Sequence, residues 1–254
     1  MMRVDLYLTE KGYAKSRSAA QNLIDNEAVL INGAVVKKAS TQIDENAENE
    51  VTITKTEKFV GRGGYKLEFA LENFGVDVNM LTAVDVGAST GGFTDCLLQR
   101  GAKKVFAVDS GEGQLDSRLV FDPRVVNLEK YNARNIKKED FGEKIDIAVM
   151  DVSFISQTLI IPSLSNLLED GGRLVSLIKP QFEVGKSAVG KKGIVKDPKA
   201  RINAVKSVVA FAESFGLGCL GVAESVITGG DGNIEYVALF EKGAKSRIQI
   251  DLRR

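Results

Sequence analysis

The amino-acid sequence predicts an α/β protein, a largely parallel, doubly wound sheet that follows a small α+β module. From residue 65 onward, apolar strand-like segments alternate with helical segments, which is the pattern of parallel sheets. One of these strands runs into a glycine-rich bend that opens a helix. Before them, two short helical segments and a hairpin occupy residues 1–60. We therefore divide the chain into domains 1–60 and 61–254.

The first domain contains local start and stop signals. The pattern predicts a short helix from Arg3 that ends near Gly12, and then a second helix over Arg17–Asn26 with Ser16 as its N-cap. The pair Asn32-Gly33 favours a tight primed turn in a hairpin. The hairpin strands are expected at 29–31 and 34–36, a closing strand at 50–54, and a linker at 55–64.

The second domain is predicted to begin with a helix over Tyr65–Phe74, which ends at Gly75. Its strands and helices then alternate along the chain. Strands are expected at 82–86, 104–108, about 124–127, 145–150, 173–178 and 234–240, and helices at 92–99, 114–119, 156–168 and 198–215.

The composition limits the possible chemistry. The chain has 254 residues, 44% hydrophobic and 27% charged, and its formal net charge is zero, so a polyanion partner requires a local basic patch. Histidine is absent, which removes the usual general base and the Ser-His-Asp machinery. Proton transfer must therefore use Lys, Asp, Glu, Tyr or Cys.

The same composition argues against several other classes of protein. Cys96 and Cys219 have neither a metal-ligand spacing nor a disulfide framework, which suits a reducing cytoplasm. No apolar run reaches the roughly 18 residues that a membrane-spanning helix needs. We expect a cytoplasmic protein that requires no metal and no membrane.

The glycine-rich bend predicts a cofactor site. Glycines let a nucleotide-like ligand approach the backbone, and Asp109 ends the next strand about 20 residues later, where a carboxylate can bind a ribose diol. The bend lacks the dinucleotide pattern Gly-x-Gly-x-x-Gly and resembles the first motif of S-adenosylmethionine methyltransferases. A tight strand–helix turn without a ligand is the alternative. The candidate cofactor-binding residues are Asp85, Gly87, Ala88, Ser89, Thr90, Gly91, Gly92, Phe93 and Asp109.

Four charged residues are expected to form one group. Asp151 and Lys179 each follow an apolar strand, at the sheet edge where ligands bind in open α/β folds. Glu235 interrupts an apolar strand, where a charge is costly unless it is paired. Lys66 lies in the first turn of a helix. Asp151, Lys179 or Lys66 alone would more often be a solvated surface charge, and only the combination of the four residues indicates a site.

Four blocks of the sequence are specific, namely Gly61–Leu67, Asp85–Asp95, Asp151–Ile155 and Ile178–Glu183. Together they resemble the TlyA family of haemolysin-like ribosomal RNA 2′-O-methyltransferases. The first sixty residues resemble the S-four RNA-binding module, and the remainder resembles the Rossmann-like FtsJ-type methyltransferase domain. The resemblance implies S-adenosylmethionine as cofactor, ribosomal RNA or ribosomal subunits as partners, and a cytidine ribose as target. It also implies a catalytic tetrad of Lys66, Asp151, Lys179 and Glu235.

This chemistry is compatible with a chain that lacks histidine. Methyl transfer to a 2′-hydroxyl requires in-line approach and loss of a weakly acidic proton, and a lysine accepts a proton only when neutral. Lys66 and Lys179 would favour each other's neutral form, whereas Asp151 and Glu235 oppose it. We hypothesise that Lys179 steers and deprotonates the hydroxyl, that Asp151 orients it, and that Lys66 and Glu235 fix Lys179 and the ribose.

Local basic patches predict RNA binding, since phosphate contacts position RNA without reading its sequence. A second basic segment is expected to be a mobile loop that closes over RNA, and it contains Lys186, Lys191, Lys192, Lys196 and Lys199 with Gly185, Gly190 and Gly193 among them. A solvated face on a protein-binding module is the alternative for the first domain. The RNA-binding candidates are Arg3, Lys11, Lys15, Arg17, Lys37, Lys38, Arg62, Lys186, Lys191 and Lys192.

Three other functions stay open at this stage. A membrane-active haemolysin fits the family name, although the chain has no apolar run of spanning length and keeps the full tetrad. A ribosome-assembly factor could bind the cofactor and RNA without turnover. An NAD-dependent dehydrogenase is a minor alternative.

Overall fold

The computed structural model describes residues 1–25, 27–54, 58–185 and 188–247. The chain forms two compact units, Met1–Lys58 and Phe59–Arg254. Each has its own hydrophobic core, since the buried apolar residues before Lys58 form a separate cluster.

The smaller unit contains two helices and short strands. Ser16 Oγ accepts a hydrogen bond from the Ala19 amide at 3.2 Å, which confirms the predicted N-cap. Asn32 and Gly33 have φ of 51° and 78°, the signature of the predicted primed turn. Two two-residue strands were not predicted, because they are too short for any periodicity. The elements are β1 (Met2–Arg3), α1 (Val4–Glu10), α2 (Arg17–Asp25), β2 (Val29–Ile31), β3 (Ala34–Val35), β4 (Gln42–Ile43) and β5 (Val51–Ile53).

The larger unit is built on one sheet with helices between its strands. Gly75 ends the first helix in the left-handed conformation with φ of 62°, as its C-terminal position predicts. The elements are α3 (Gly63–Phe74), β6 (Thr82–Val86), α4 (Gly92–Gln99), β7 (Lys104–Val108), α5 (Ser117–Val120), β8 (Val125–Leu128), β9 (Ile147–Met150), α6 (Ile161–Leu167), β10 (Arg173–Ile178), α7 (Pro180–Glu183), α8 (Pro198–Ser214), β11 (Leu217–Glu224) and β12 (Tyr236–Lys242).

The sheet has seven strands in the order β11-β12-β10-β9-β6-β7-β8. The five strands from β10 to β8 are parallel, whereas β12 pairs antiparallel with both β10 and β11. The predicted doubly wound α/β sheet is therefore confirmed, with an antiparallel pair at one end that includes the unpredicted strand β11.

Alternate residues along each central strand enter two different cores. Ile147 and Val149 pack with α3 and α4 on one face, whereas Ala148 and Met150 pack with α6 and α8 on the other. This alternation covers both faces of the sheet, so that the strand ends are the part of the sheet left for a ligand.

Two predicted helices are shorter than expected for local reasons. The amides of Gly113 and Gln114 donate to the Glu129 carboxylate at 2.7 and 3.1 Å, so the helix expected at 114–119 begins only after its N-cap, Asp116. The helix expected at 156–168 is a 3-10 turn, Gln157–Leu159, followed by α6. Within the described ranges, every helix is too short or too polar to span a bilayer.

Candidate active site

The candidate catalytic residues meet at one edge of the sheet because of its topology. Parallel strands β9 and β10 end at this edge, and Asp151 and Lys179 follow them directly. Strand β12 is antiparallel to β10, with Tyr236 opposite Ile178, so the residue before β12 lies at the same edge. That residue is Glu235, which precedes the strand and does not interrupt it, in contrast to the prediction.

The four charged residues form two ion pairs. Lys66 Nζ lies 2.6 Å from Glu235 Oε2, and both side chains are buried. Lys179 Nζ lies 2.6 Å from Asp151 Oδ1, and this pair is slightly more exposed. Lys66 is in the first turn of α3, as predicted. Each lysine therefore has a carboxylate as its ionic partner, instead of the direct lysine–lysine influence considered from the sequence.

Ser153 is a site residue that the sequence reasoning missed. Lys179 Nζ donates a hydrogen bond to Ser153 Oγ at 2.8 Å, in addition to its ion pair with Asp151. An ammonium group has three donors, so at least one N–H of Lys179 is left for an acceptor. The only sequence signal for Ser153 was its place in the block after Asp151.

A crevice runs along this edge beside the ion pairs. A cavity of about 740 Å³ is lined by Asp109 at the end of β7, and a cavity of about 210 Å³ is lined by Lys179. Gly87, Ser89, Asp151 and Ser153 line both cavities, which places the glycine-rich bend between Asp109 and Lys179.

The larger cavity fits an adenosine-type ligand in size and in polar groups. Asp109 Oδ2 accepts from the Ser89 amide at 2.8 Å and Oδ1 from the Gly111 amide at 2.7 Å. Each carboxylate oxygen retains a lone pair, as binding of a ribose diol requires. Val108 and Ile160 contribute apolar wall, and the volume is within the usual range for small-molecule sites.

Most of the predicted cofactor-binding residues line these cavities, whereas Gly91 and Asp85 lie behind them. Gly91 has φ of 95°, and a Cβ there would lie 2.2 Å from Leu119 Cδ1. A Cβ on Gly87, which has φ of 85°, would lie 2.4 Å from the carbonyl oxygen of Asp151. Packing within the protein thus requires glycine at both positions, a reason that the sequence did not predict.

Asp85 is fully buried in β6 beneath the bend. Its Oδ2 accepts a hydrogen bond from Thr94 Oγ1 at 2.7 Å, while its Oδ1 is buried without a hydrogen-bond partner. Burial raises the pKa of the Asp85 carboxyl to about 7, against the opposing effect of the Thr94 hydrogen bond. The hydrogen bond from Thr94 thus joins β6 to α4, the helix that follows the glycine-rich bend.

The raised pKa of Asp85 predicts a pH-dependent stability. An unfolded aspartate titrates near pH ~3.9, so between about pH 4 and pH 7 the folded chain binds more protons and the free energy of unfolding falls as the pH rises. Asp85→Asn, which stays neutral, is expected to raise stability at pH 8 relative to wild type and to change it less, or lower it, at pH 5. Urea unfolding followed by circular dichroism measures this. An equal effect at both pH values, or the same pattern in the exposed control Asp170→Asn, contradicts the assignment.

Phe154 is a second site residue that the sequence did not single out. It has φ of 64°, a left-handed conformation that is unusual for a bulky residue, and it is 92% exposed. Its ring lines the larger cavity and lies 5.2 Å, centroid to centroid, from the ring of Phe182. Strained backbone of this kind concentrates at functional sites.

In the smaller unit, two of the RNA-binding candidates bind one buried carboxylate. Asp5 accepts hydrogen bonds from the guanidinium groups of Arg3 at 2.9 Å and Arg17 at 2.8 Å. The Arg3 hydrogen bonds, aided by those of Arg17, hold the pKa of the Asp5 carboxyl well below its usual range. Both arginines are thereby fixed with part of their surface exposed. The other candidates in this unit, Lys11, Lys15, Lys37 and Lys38, are exposed.

In the larger unit, Lys191 and Lys192 of the predicted loop lie on a turn that hydrogen-bonds to Asn233. The buried side chain of Asn233 accepts from the Val195 amide at 3.0 Å and donates to the Gly193 carbonyl at 2.9 Å. Lys191 and Lys192 are exposed at the tip of this turn. Arg62 is exposed and donates to the Thr228 carbonyl at 3.0 Å, and Lys186 lies outside the described residues.

Among the residues that the structure places, no group of three or more Cys, Asp or Glu side chains is arranged to hold a metal ion.

Comparison with known proteins relates both units to characterised families. Residues 59–242 match the family model of FtsJ-like methyltransferases, and residues 2–49 match that of the S4 domain. A Mycobacterium tuberculosis protein named 16S/23S rRNA (cytidine-2′-O)-methyltransferase TlyA is 42% identical over 234 residues, which are 92% of this chain and 87% of the relative.

Two further proteins are similar over nearly the whole chain. Hemolysin A of Brachyspira hyodysenteriae is 42% identical over 240 residues, which are 94% of this chain and 99% of that protein. A solved structure from Streptococcus thermophilus, named "Putative hemolysin", has a TM-score of 0.78 and 39% identity and covers 99% of this chain and 92% of that one.

Proposed function

Because the chain belongs to the TlyA family of FtsJ-like methyltransferases, with an S4 domain before the methyltransferase domain, we propose that it methylates the ribose 2′-hydroxyl of a cytidine in ribosomal RNA, with S-adenosylmethionine as the methyl donor. The observation that carries the proposal is the crevice that joins Asp109 to the Lys179–Asp151 pair past the glycine-rich bend. In this crevice the proposed cofactor site, in the larger cavity, and the proposed proton-transfer site, in the smaller cavity, have lining residues in common.

S-adenosylmethionine supplies an electrophilic methyl group. In our proposal Asp109 holds the ribose diol of the cofactor, while Ser89 and Gly87 shape the floor between the two cavities. The shared wall then directs the reactive end of the cofactor toward the smaller cavity, where Lys179 and Asp151 lie.

The acceptor hydroxyl is proposed to bind at the smaller cavity. The third N–H of Lys179 hydrogen-bonds the 2′-oxygen and steers it, while Asp151 and Ser153 hold the ammonium group in one orientation. The buried Lys66–Glu235 pair fixes α3 to the start of β12 behind this site. As an ammonium, Lys179 only steers the oxygen. After it has lost one proton to solvent, the lone pair of its neutral amine takes the hydroxyl proton as the oxygen accepts the methyl group.

Phe154 is proposed to receive the base of the acceptor nucleotide. Its ring is 92% exposed and lines the larger cavity, directly after Ser153, which lines both cavities. It offers a stacking face next to the smaller cavity, and stacking is worth about 1–3 kcal/mol per base. Enzymes that act on a base take it out of the helical stack. We propose that this protein does the same to bring the ribose into the crevice, with Phe154 as the platform for the extruded base.

Lys191 and Lys192 are proposed to contact RNA phosphates from their anchored turn. The double charge reversal Lys191→Glu/Lys192→Glu is expected to weaken ribosomal RNA binding and to reduce the slope of log K against log salt by about 2, since each lost phosphate contact removes roughly one unit. Binding at several salt concentrations measures it.

The matched control for the turn reverses two lysines elsewhere on the larger unit. Lys103 and Lys144 are exposed and precede β7 and β9, at the opposite edge of the sheet. Lys103→Glu/Lys144→Glu should leave the slope near the wild-type value. A slope that is unchanged by the reversals at the turn, or changed equally by both double variants, contradicts the assignment.

Labelled methyl transfer to isolated ribosomal subunits tests the proposed function. Wild-type protein with labelled S-adenosylmethionine is expected to label ribosomal RNA, and Asp151→Ala is expected to lose the signal. Binding of cofactor and RNA without transfer would instead indicate an assembly factor. Leakage of liposomes by pure protein without cofactor would support the membrane-active function that the name of the Brachyspira relative suggests.

A further inference from the structure

Glu183 is a charged residue of the site region that the proposed reaction does not use. It ends α7, which directly follows Lys179. Its Oε2 accepts a hydrogen bond from Ser156 Oγ at 2.6 Å, and its Oε1 accepts one from the Gln157 amide at 2.9 Å. Glu183 thus reaches from the segment after β10 to the segment after β9, away from the residues that line the two cavities.

The two segments are joined along their length. On the cavity side, Lys179 contacts Ser153, and the ring of Phe182 packs against that of Phe154. Within the sheet, Ser176 Oγ of β10 donates to the buried Gln157 side chain at 2.6 Å. Glu183 adds a second carboxylate contact between the two segments, besides the ion pair of Lys179 with Asp151.

The Glu183 carboxylate provides hydrogen-bond acceptors for two donors of the segment after β9. Ser156 is the N-cap of the 3-10 turn Gln157–Leu159, whose first amide has no partner within the turn. Glu183 accepts from that amide and from the capping hydroxyl at once, which a neutral side chain cannot do equally well. Its burial raises the pKa of the Glu183 carboxyl, in keeping with a group withdrawn from solvent.

We propose that Glu183 is a positioning residue, which holds the segment of Asp151, Ser153 and Phe154 against Lys179 so that all four groups face the acceptor nucleotide. The inference rests on the proposed function, because the acceptor is the nucleotide assigned there. Glu183 touches neither the cofactor nor the acceptor in this account, and it acts through the geometry of the segment.

Glu183→Gln is the first test. The amide retains one oxygen acceptor but directs an NH2 group at a donor, so the segment shifts without loss of side-chain volume. A misplacement of about 1 Å can cost about 100-fold in rate, and we expect kcat to fall by about 10-fold to 100-fold. The Kd for S-adenosylmethionine should stay within about twofold of wild type, because Asp109 and the bend are untouched. Glu169→Gln, the same change at an exposed position after α6, is the matched control.

Hydrogen exchange gives a readout that does not depend on activity. Peptides over residues 151–158 are expected to exchange faster in Glu183→Gln than in wild type and in Glu169→Gln, whereas peptides over β6 keep their protection. Faster exchange in Glu183→Gln, together with absent methyl transfer by the wild type, would refute the proposed function but support the positioning role of Glu183. Unchanged exchange in Glu183→Gln, together with an active wild type, would refute the positioning role alone.

A double-mutant cycle with Ser156→Ala completes the test, and Ser156→Ala alone takes the place of Glu183→Gln if that variant does not fold. Ser156→Ala should lower kcat by a smaller factor, and the double variant should lose less than the product of the two factors, since both changes break one contact. Independent effects of the two changes, a kcat for Glu183→Gln equal to that of Glu169→Gln, or a parallel loss of cofactor binding would each overturn the positioning role.

Discussion

Lys179→Ala is expected to abolish methyl transfer, with kcat reduced by at least about 1,000-fold, because it removes both the group that steers the 2′-oxygen and the group that takes its proton. Cofactor affinity should stay close to wild type, since the proposed ribose contact, Asp109, is untouched. Single-turnover transfer and equilibrium cofactor binding, measured on the same preparation, separate the two quantities.

Two matched variants show whether the Lys179 effect is specific. Lys206→Ala makes the same change at an exposed position of α8 and should keep wild-type transfer. Lys179→Arg keeps the positive charge but is expected to be nearly inactive, because a guanidinium does not give up a proton and has a planar fork. Turnover near the wild-type rate in Lys179→Ala would disprove the role assigned to this lysine.

Glu235→Ala is expected to lower both stability and activity. It leaves the Lys66 ammonium buried without its carboxylate, and loss of one partner of a buried ion pair costs about 3–5 kcal/mol. The free energy of unfolding measured in urea should fall by that order, and methyl transfer should be lost with it.

The double variant Lys66→Met/Glu235→Leu separates the two effects. Replacement of a buried ion pair by apolar side chains of similar volume is often neutral for stability, so this variant should unfold near the wild-type denaturant concentration. It should still fail to transfer methyl groups if the pair serves the reaction. Restored transfer in the double variant would assign the pair a purely structural role, and wild-type stability of Glu235→Ala would contradict the buried contact itself.

The fold was largely predictable because its signals are local. The central strands 82–86, 104–108 and 173–178 lie where their apolar runs place them. Strand β11 was missed because Gly218 and Gly221 weaken its strand pattern. Contacts with distant parts of the chain require glycine at both positions. A Cβ on Gly221 would lie 2.5 Å from the Phe74 ring, and a Cβ on Gly218 would lie 2.2 Å from the Ala244 carbonyl oxygen. No sequence window of β11 contains that information.

The candidate site was predictable in its residues more than in its contacts. Charges at strand ends pointed to Asp151 and Lys179, and the structure gives the pairing of each lysine with its carboxylate. Glu183 and Ser153 were not singled out, since a carboxylate at a helix end and a serine in a loop are common surface features. Their roles depend on the adjacency of β9 and β10, which the chain order alone does not specify.

Nucleoside analysis of ribosomal RNA tests the central claim most directly. Ribosomal subunits incubated with wild-type protein and S-adenosylmethionine, digested to nucleosides and analysed by mass spectrometry, should contain new 2′-O-methylcytidine, with the added mass on the ribose fragment. The same product should be absent with Lys179→Ala. A methyl group on a base, or no ribose methylation under conditions in which both cofactor and RNA bind, would contradict the proposed function.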